Sequence, residues 1–331
     1  MTLLHLDAAA SSAILPDVPF PIVLAETERP ALPLRRRGPV VAMVMALRPK
    51  QWMKNGLVFL APVGAGMELH WRVIVQAAMC FLALSLVAGA TYLVNDIRDV
   101  EADRVHPKKC RRPLAAGEIS VRSAWVLFAF SVVAGLGSGY VAGGFPLDLV
   151  FAGYAALSMS YSYWFKHQEV LDVASVSMCF VIRVVAGAVA THAVLPHAML
   201  LCTGCGALFM VVGKRYAEFR SLGDGRDSHR KVLANYSESY LRSIFYFAAA
   251  MTTVSYCWWA IERAKVSPFA VCFQLSMIPA VVMVMQYALL IDRGAGGSPE
   301  DLVLGNRRLQ VLGALAAVLF ILGGLPAVVH M

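Results

Sequence analysis

Long apolar stretches separated by short polar segments dominate the chain from about residue 50 onwards. Residues 73–94 and 309–329 each contain more than 20 consecutive positions without a charged side chain. A helix of about 20 residues crosses a hydrocarbon core about 30 Å thick. Neither stretch has the polar face of a soluble amphipathic helix or the period-2 alternation of a membrane β-strand. The pattern therefore predicts membrane-spanning helices.

Repetition of this pattern predicts an all-α, polytopic membrane protein with about nine transmembrane helices. The composition supports that class, because 59% of the residues are hydrophobic, whereas soluble domains contain about 45–50% apolar residues. The predicted helices lie near residues 50–66, 72–95, 121–142, 146–164, 170–191, 197–214, 240–261, 267–291 and 309–329.

Residues 1–40 differ from the rest of the chain. Prolines interrupt this segment, and no Lys or Arg precedes its first apolar patch. It therefore lacks the features of a signal peptide, and we predict a flexible cytoplasmic tail. Residues 41–331 form the predicted nine-helix transmembrane domain, which carries the candidate catalytic residues.

Lys and Arg concentrate on one predicted side of the membrane. Six lie in residues 35–54, six in residues 96–120 and seven in residues 211–242, whereas the opposite-side connections near residues 67–71, 141–148 and 192–197 contain none. The positive-inside rule then predicts a multi-pass protein of the cell (inner or plasma) membrane. Its amino terminus and polar site lie in the cytoplasm and its carboxyl terminus lies outside. The net charge of +8 suits either anionic lipid headgroups or phosphorylated substrates.

The most acidic segment, NDIRDVEADR at residues 95–104, directly follows one of the most apolar predicted helices. If that helix continues to residue 103, Asn95, Asp99 and Asp103 lie on one face, with Asp96 on its flank. Four oxygen-bearing side chains favour Mg²⁺, which usually shares its coordination shell with phosphate oxygens. The alternative is that these acids solvate the helix end and pair with the Arg and Lys that follow.

Three segments place cations at predicted cytoplasmic helix ends, on the side of the acidic residues. They are RPKQWMKN (48–55), HPKKCRRP (106–113) and MVVGKRYAEF (210–219). Each alone is explained as an interfacial anchor or as positive-inside charge. Together they match a Mg²⁺-bridged diphosphate substrate, whose remaining charge requires fixed cations. The candidate side chains are Lys50, Lys54, Lys108, Arg112, Lys214 and Arg215.

Two further polar features lie in apolar surroundings. Arg183 is about 13 residues into a predicted helix, where burying its charge costs about 3 kcal/mol or more. Either it pairs with an internal carboxylate or carbonyl group, or it binds an anionic substrate. Tyr161 and Lys166 end another helix, as part of an interfacial aromatic belt or as donors to a phosphate.

The NDxxDxxxD spacing of the acidic segment resembles the motif that closes helix 2 in the UbiA superfamily of intramembrane prenyltransferases. The resemblance covers roughly residues 45–330 and implies a UbiA-type helical bundle. Within the superfamily, RPKQWMKN, YSYWFKHQEVLDV, FVIRVVAGAVA and GKRYAE are similar to the branch of decaprenyl-phosphate phosphoribosyltransferases. Most members carry a second aspartate-rich motif near helix 6, where this chain has the cationic segment 210–219.

The resemblance implies Mg²⁺-dependent transfer of a 5-phosphoribosyl group from 5-phosphoribosyl 1-diphosphate to decaprenyl phosphate or another polyprenyl phosphate. The reaction releases diphosphate and forms a precursor of cell-wall arabinan. The implied metal ligands are Asn95, Asp96, Asp99 and Asp103, with Asp99 and Asp103 also assigned to catalysis. The implied substrate-binding residues are Lys50, Lys54, Lys108, Arg112, Tyr161, Lys166, Arg183, Lys214, Arg215, Tyr216 and Glu218. The expected partners are these substrates and the lipid bilayer, and no nucleic acid is expected to bind. The formation of a homo-oligomer is left open.

Two other functions stay open at this stage. An ordinary superfamily member would move a prenyl chain from a prenyl diphosphate to an aromatic or polar acceptor, but the second aspartate-rich motif is missing. A polytopic transporter or lipid-binding scaffold would also contain apolar helices and an intramembrane arginine.

Overall fold

The computed structural model describes residues 37–67, 70–106, 109–222, 231–295 and 299–324. Within these ranges every regular element is a helix, which confirms the predicted all-α class. Three 3₁₀ helices lie at Met53–Phe59, Lys109–Arg111 and Phe165–His167. In chain order the α-helices are α1 (Pro39–Ala46), α2 (Pro49–Trp52), α3 (Leu60–Gly64), α4 (Trp71–Arg98), α5 (Val100–Val105), α6 (Val121–Tyr163), α7 (Leu171–Thr191), α8 (His197–Leu222), α9 (Lys231–Ala234), α10 (Glu238–Ala264), α11 (Ala270–Asp292), α12 (Pro299–Gly305) and α13 (Arg307–Gly323).

Six of the described helices are long and apolar enough to cross a membrane, namely α4, α6, α7, α8, α10 and α11. The protein is therefore a multi-pass membrane protein. The predicted count of nine is not confirmed, and three elements account for the difference. α6 combines two predicted helices in 43 residues, α13 has only 17 residues, and the first predicted helix is interrupted.

α6 is a helical hairpin. Gly144 has φ 68° and ψ −167°, a conformation that residues with a Cβ rarely adopt. A Cβ at Gly139 would lie 2.6 Å from the Phe151 ring, although a straight helix would separate these two residues by about 18 Å. The chain therefore turns back at Gly144, and residues 121–143 pack beside residues 145–163, in agreement with the two helices predicted there.

The first predicted helix, residues 50–66, is divided into α2, the 3₁₀ helix Met53–Phe59 and α3. Its 3₁₀ part has seven residues, whereas such runs rarely exceed three or four. Direct backbone packing supports it, because a Cβ at Gly187 of α7 would lie 2.0 Å from the Val58 carbonyl oxygen. Gly187 thus allows the 3₁₀ helix to lie directly against α7.

The helix that carries the acidic residues is interrupted once. α4 ends at Arg98, and Asp99 has φ −93° and ψ 9° before α5 begins. The Asp99 N–H still donates to the Asn95 carbonyl (2.9 Å), and the Asp103 N–H donates to the Asp99 carbonyl (2.8 Å). The predicted helical spacing of the acidic residues is therefore retained across the break.

α8 is longer than the sequence pattern predicts. It ends at Leu222, not near residue 214, so Lys214 and Arg215 lie within the helix. α8 packs mainly against α10, and α4 packs mainly against α6. Large apolar side chains such as Phe130 on α6 remain 63% exposed, as expected for a surface that faces lipid.

Candidate functional site

A cavity of about 1070 Å³ lies within the bundle, slightly larger than the 300–1,000 Å³ or so typical of ligand pockets. Its walls come from the 3₁₀ helix Met53–Phe59 and from α3, α6, α7, α8, α10, α11, α12 and α13. Most of the lining is apolar and includes Phe180, Met210, Trp259 and Phe320. The cavity is therefore suited to a hydrocarbon chain.

Several side chains with N–H or O–H donors also line this cavity, and among them are Lys54, Tyr161, Lys214 and Arg215. Each lies in the part of its helix that is nearer to the basic segments of the sequence. The cavity thus combines an apolar interior with three cations and a phenol. The cavity is therefore complementary to a molecule with an anionic headgroup and an apolar tail.

The four predicted metal ligands divide into two pairs with different partners. Asp96 and Asp103 are seven positions apart, and seven helical residues return to within about 20° of the same direction. Arg112 joins them, because its Nη1 lies 3.1 Å from Asp96 Oδ1 and 2.5 Å from Asp103 Oδ2. Arg48 Nη2 adds a second contact to Asp96 Oδ1 at 2.5 Å, and Lys109 Nζ lies 3.9 Å from Asp103 Oδ1.

Burial explains why Asp96 and Asp103 need these partners. Their side chains are only 5% and 3% exposed, and an unpaired buried charge costs several kcal/mol. Arg48 contributes from a left-handed backbone conformation with φ 55° and ψ 62°, which is uncommon outside glycine. Pairing with Arg and Lys is the alternative to metal binding that the sequence left open for these acidic residues. The ion pairs hold the α1–α2 connection and the residues after α5 against α4.

Asn95 and Asp99 form the second pair, one helical turn apart. Asn95 Nδ2 donates to Ser162 Oγ at 3.0 Å, and this bond does not use the carbonyl oxygen Oδ1. The Asp99 side chain is 41% exposed, with Arg98 Nε 3.7 Å from its Oδ1. Both side chains carry oxygen atoms of the type that Mg²⁺ prefers, and the Asp99 carboxylate is accessible.

A closed metal cage is not formed by the described residues, since no group of three or more His, Cys, Asp or Glu side chains among them has suitable geometry. Mg²⁺ typically binds one or two carboxylates together with waters and substrate phosphates. The Asn95 and Asp99 oxygens fit that incomplete shell. In this arrangement Asp96 and Asp103 are occupied by arginines, and metal ligation by them stays a prediction.

Arg215 is part of a buried ionic cluster. Its Nε lies 2.9 Å from Asp172 Oδ2, and its Nη1 lies 3.1 Å from Glu218 Oε2. The side chains of Arg215 and Asp172 are 5% and 0% exposed. Lys214 Nζ lies 4.0 Å from Glu218 Oε1. Two acidic residues thus hold the cations that α8 contributes to the cavity wall.

Tyr236, just before α10, completes this cluster. Its hydroxyl donates to Asp172 Oδ1 at 2.8 Å and accepts from the Val170 N–H at 2.6 Å. Burial raises the pKa of Tyr236, an effect that Asp172 increases and the Val170 hydrogen bond opposes. Val170 has φ 63°, which is unfavourable for a β-branched residue. The Tyr236 hydroxyl therefore stabilises both the start of α7 and the partner of Arg215.

Arg183 lies inside the bundle with 3% exposure. Its Nε donates to Asn55 Oδ1 (2.9 Å), its Nη1 to the Cys179 carbonyl (2.5 Å) and its Nη2 to the Tyr154 hydroxyl (2.9 Å). Phe180 and not Arg183 is among the residues of α7 that line the cavity. Of the two alternatives left by the sequence, the structure favours internal pairing, here with neutral oxygen atoms.

The other predicted substrate-binding residues have varied surroundings. Lys50 is exposed on α2, and Lys166 is half-buried in the 3₁₀ helix Phe165–His167. Tyr216 is 2% exposed and belongs to a hydrophobic core with Phe245, whose ring centroid is 6.0 Å away. Lys108 lies outside the described residues. A substrate-binding role for each of these residues stays a prediction.

Three residues at the site are not selected by sequence reasoning, namely Arg48, Asn55 and Tyr236. Arg48 and Asn55 lie in RPKQWMKN, where the two lysines give the stronger signal. Tyr236 follows a short polar segment with no motif. Contacts across 48 to 128 positions of the chain give these residues their importance, and a single sequence does not show such contacts.

The fold and the cavity define a membrane-embedded helical bundle with an apolar interior and a cationic wall. The chain belongs to the UbiA prenyltransferase family, whose family model matches residues 57–300. This match confirms the resemblance that the acidic motif indicates.

Two curated relatives narrow the comparison. The chain is 41% identical over 281 residues to a decaprenyl-phosphate phosphoribosyltransferase from Mycobacterium tuberculosis, which covers 82% of this chain and 91% of the relative. It is 40% identical over 280 residues to a protein of the same name from Corynebacterium glutamicum, with 83% and 84% covered. Similarity thus extends over most of both relatives.

Solved structures agree on the fold. The chain is similar to a UbiA homologue from Archaeoglobus fulgidus bound to GPP and Mg²⁺, with a TM-score of 0.64 and 19% identity. The match covers 86% of this chain and 98% of that chain. At this level of identity the comparison establishes the shared UbiA-type fold.

Proposed function

We propose that this protein is a Mg²⁺-dependent decaprenyl-phosphate phosphoribosyltransferase. It transfers 5-phosphoribosyl from 5-phosphoribosyl 1-diphosphate to decaprenyl or another polyprenyl phosphate, and the product is a precursor of cell-wall arabinan. The observation that carries the proposal is the set of cations Lys54, Lys214 and Arg215 on the wall of a largely apolar cavity. The two relatives named decaprenyl-phosphate phosphoribosyltransferase support it.

The proposed substrates match the two parts of the cavity. A polyprenyl tail is apolar and suits the helix-lined interior, whereas the acceptor monophosphate and the donor phosphates require cations. A prenyl diphosphate donor would in most family members lie between two acidic motifs, but the described part of α8 carries Lys214 and Arg215. This difference favours the phosphosugar donor over a prenyl donor.

In the proposed reaction, the bond between C1 of ribose and the diphosphate oxygen breaks and diphosphate leaves with the electron pair. An oxygen of the acceptor phosphate forms the new bond to C1. Since that phosphate is already anionic, no strong general base is required. The cavity cations hold both reactants in contact and stabilise their charge, which is the main contribution to catalysis.

Mg²⁺ bound through Asn95 and Asp99 would neutralise the departing diphosphate. Ser162 fixes the Asn95 amide from α6, and the paired Asp96 and Asp103 hold Arg48 and Arg112 beside the same helix end. The concentration of Lys and Arg in these segments supports a cytoplasmic position for the site, with the amino terminus inside and the carboxyl terminus outside.

The test is an assay with purified protein in lipid nanodiscs, Mg²⁺, decaprenyl phosphate and donor labelled in the 5-phosphate. We expect a labelled lipid that forms only when both substrates and Mg²⁺ are present. Asp99→Asn should lower turnover by about a hundredfold or more, since it weakens the metal shell. Glu101→Gln is the matched control, because the Glu101 side chain is 79% exposed and pairs with Arg104.

The same preparation separates the other candidate functions. Failure to label any polyprenyl phosphate, with product formed from a prenyl diphosphate and an aromatic acceptor, would establish the prenyltransferase alternative. Absence of both products from folded protein would favour a transporter or lipid-binding scaffold. Equal turnover of the Asp99→Asn and Glu101→Gln variants would contradict the metal assignment alone.

A further inference from the structure

The intramembrane arginine is connected to the 3₁₀ helix Met53–Phe59 by a buried hydrogen-bond chain. Arg183 Nε donates to Asn55 Oδ1 at 2.9 Å, and Asn55 Nδ2 donates to Ser85 Oγ at 3.0 Å. Ser85 in turn donates to the Phe81 carbonyl at 2.7 Å. Asn55 and Ser85 are 1% and 0% exposed. These buried hydrogen bonds therefore link α7, the 3₁₀ helix and α4 away from solvent.

The geometry of Arg183 is suited to a fixed position. The Cys179 carbonyl and the Tyr154 hydroxyl bind its other two nitrogens, and the rings of Tyr154 and Phe180 lie 4.9 and 5.2 Å from its Cζ. A planar guanidinium satisfies three such acceptors at once, which an ammonium group does not do. Every partner therefore restrains the direction in which Nε meets Asn55.

A second contact fixes the same segment one helical turn further along α7. Gly187 lies against the Val58 carbonyl, and its missing Cβ would otherwise be 2.0 Å from that oxygen. A seven-residue 3₁₀ helix is intrinsically weak, so these tertiary contacts at Asn55 and Val58 determine where it lies. Lys54, which directly precedes Asn55, lines the cavity.

We propose that Arg183 is a positioning residue that acts through Asn55 to hold the 3₁₀ helix, so that Lys54 is presented to the anionic headgroup in the cavity. The phosphate-binding role of Lys54 rests on the proposed function, whereas the positioning itself does not. This assignment replaces direct substrate binding by Arg183. The positioning role also explains why Arg183 carries a buried charge within the membrane without contacting the substrate.

The first experiment measures position without activity. The protein in nanodiscs is treated briefly with an amine-acetylating reagent, and mass spectrometry gives the ratio of Lys54 to Lys50 modification. Lys50 is exposed on α2 and is the internal reference. Asn55→Ala removes the hydrogen bond between Arg183 and the 3₁₀ helix but leaves Arg183 its two other partners. The ratio of Lys54 to Lys50 modification should then change by about threefold or more, because the segment loosens. Arg183→Lys is the second variant if Asn55→Ala does not fold.

A destabilised control is needed for this comparison. Leu309→Ala creates a cavity in a different core, where Leu309 is 1% exposed beside residues of α8, α10 and α11. It should lower the melting temperature but leave the Lys54 to Lys50 ratio unchanged. An unchanged ratio in folded Asn55→Ala, or an equal change in Leu309→Ala, would overturn the proposal.

The second experiment is a double-mutant cycle on kcat/KM for the labelled donor. Asn55→Ala should lower kcat/KM by about tenfold or more in the native background, because misplacement of a group by about 1 Å can cost about a hundredfold. In the Lys54→Gln background, measured by single turnover, the same change should cost less than about twofold, since coupled residues are not additive. Leu309→Ala should have the same effect in both backgrounds.

The outcomes separate the two proposals. Full additivity of Asn55→Ala with Lys54→Gln would overturn the positioning role. If Asn55→Ala changes the ratio of Lys54 to Lys50 modification but the native protein makes no labelled lipid, the positioning role is supported and the proposed function is contradicted.

Discussion

Replacing Tyr236 by Phe removes one hydroxyl group from the cluster around Arg215. That hydroxyl donates to Asp172 and accepts from the Val170 N–H. Tyr236 is 7% exposed and Asp172 is 0% exposed, so water does not readily replace either bond. Phe fills the same volume apart from the oxygen, and the substitution therefore tests the two hydrogen bonds with little change in packing.

The expected loss of stability follows from these contacts. A hydrogen bond to a charged group contributes about 1.5–3 kcal/mol, and an unpaired buried N–H costs about 1–3 kcal/mol. The two effects overlap, because Asp172 keeps its ion pair with Arg215, so we expect a total of about 2–4 kcal/mol. At about 2 °C per kcal/mol for a domain of this size, the melting temperature should fall by roughly 4–8 °C.

The measurement is thermal unfolding in a fixed detergent, with Tyr240→Phe as the matched control. Tyr240 stacks on Tyr236 with ring centroids 5.8 Å apart, but it is 42% exposed and should cost under about 0.5 kcal/mol. The pH dependence gives an independent check. The pKa of Tyr236 is raised in the folded state. The contribution of its hydroxyl to the free energy of unfolding is therefore complete below about pH 10, the ordinary tyrosine pKa.

Above that pH the unfolded chain releases the proton first, so the stability advantage of the native protein over Tyr236→Phe should narrow. The reasoning would be refuted if Tyr236→Phe and Tyr240→Phe melted within 1 °C or so of each other. A difference that grew above pH 10 would refute the assigned direction of the pKa change.

Three further predictions concern other parts of the molecule. Arg48→Met should cost about 1–3 kcal/mol, because it removes one of two cations from buried Asp96, whereas Arg104→Met in an exposed pair should cost less than about 1 kcal/mol by the same melting assay. Gly144→Ala should destabilise the hairpin by about 1–3 kcal/mol because φ is 68°, whereas Gly153→Ala, with open space around its Cβ, should be neutral or stabilising. Mg²⁺ alone should raise the melting temperature by less than about 1 °C, because the protein supplies only part of the metal shell. Mg²⁺ together with the donor should raise it by several degrees. A large shift with Mg²⁺ alone would indicate a site formed by the protein only.

The sequence predicts the helices well where length and apolar content decide the outcome. α4, α7, α10 and α11 begin and end within about three residues of their predicted bounds. The division of residues 50–66 is not predicted, because the backbone contact that supports the 3₁₀ helix joins Val58 to Gly187 of α7, which is far away in the sequence.

The candidate site is predicted in part. Helical spacing places Asn95 and Asp99 one turn apart, and the observed backbone hydrogen bonds retain that spacing. The same spacing groups Asp103 with Asn95 and Asp99, although Asp103 shares Arg112 with Asp96 in the structure. The distinction depends on an arginine brought in from another segment, which local periodicity does not encode.

The arginines and lysines of this bundle have different surroundings. Arg183 and Arg215 are 3% and 5% exposed, with each bound to fixed oxygen atoms of other helices. Lys54 is half-buried and Lys214 is 40% exposed, and both line the cavity. A planar, always charged guanidinium holds several acceptors in one geometry, whereas an ammonium group on a flexible stem adapts to a phosphate that changes position during transfer. Of these four residues, Arg183 and Arg215 fix helices to each other, with Arg215 also on the cavity wall, whereas Lys54 and Lys214 are the cations whose charge can follow the substrate in the proposed reaction.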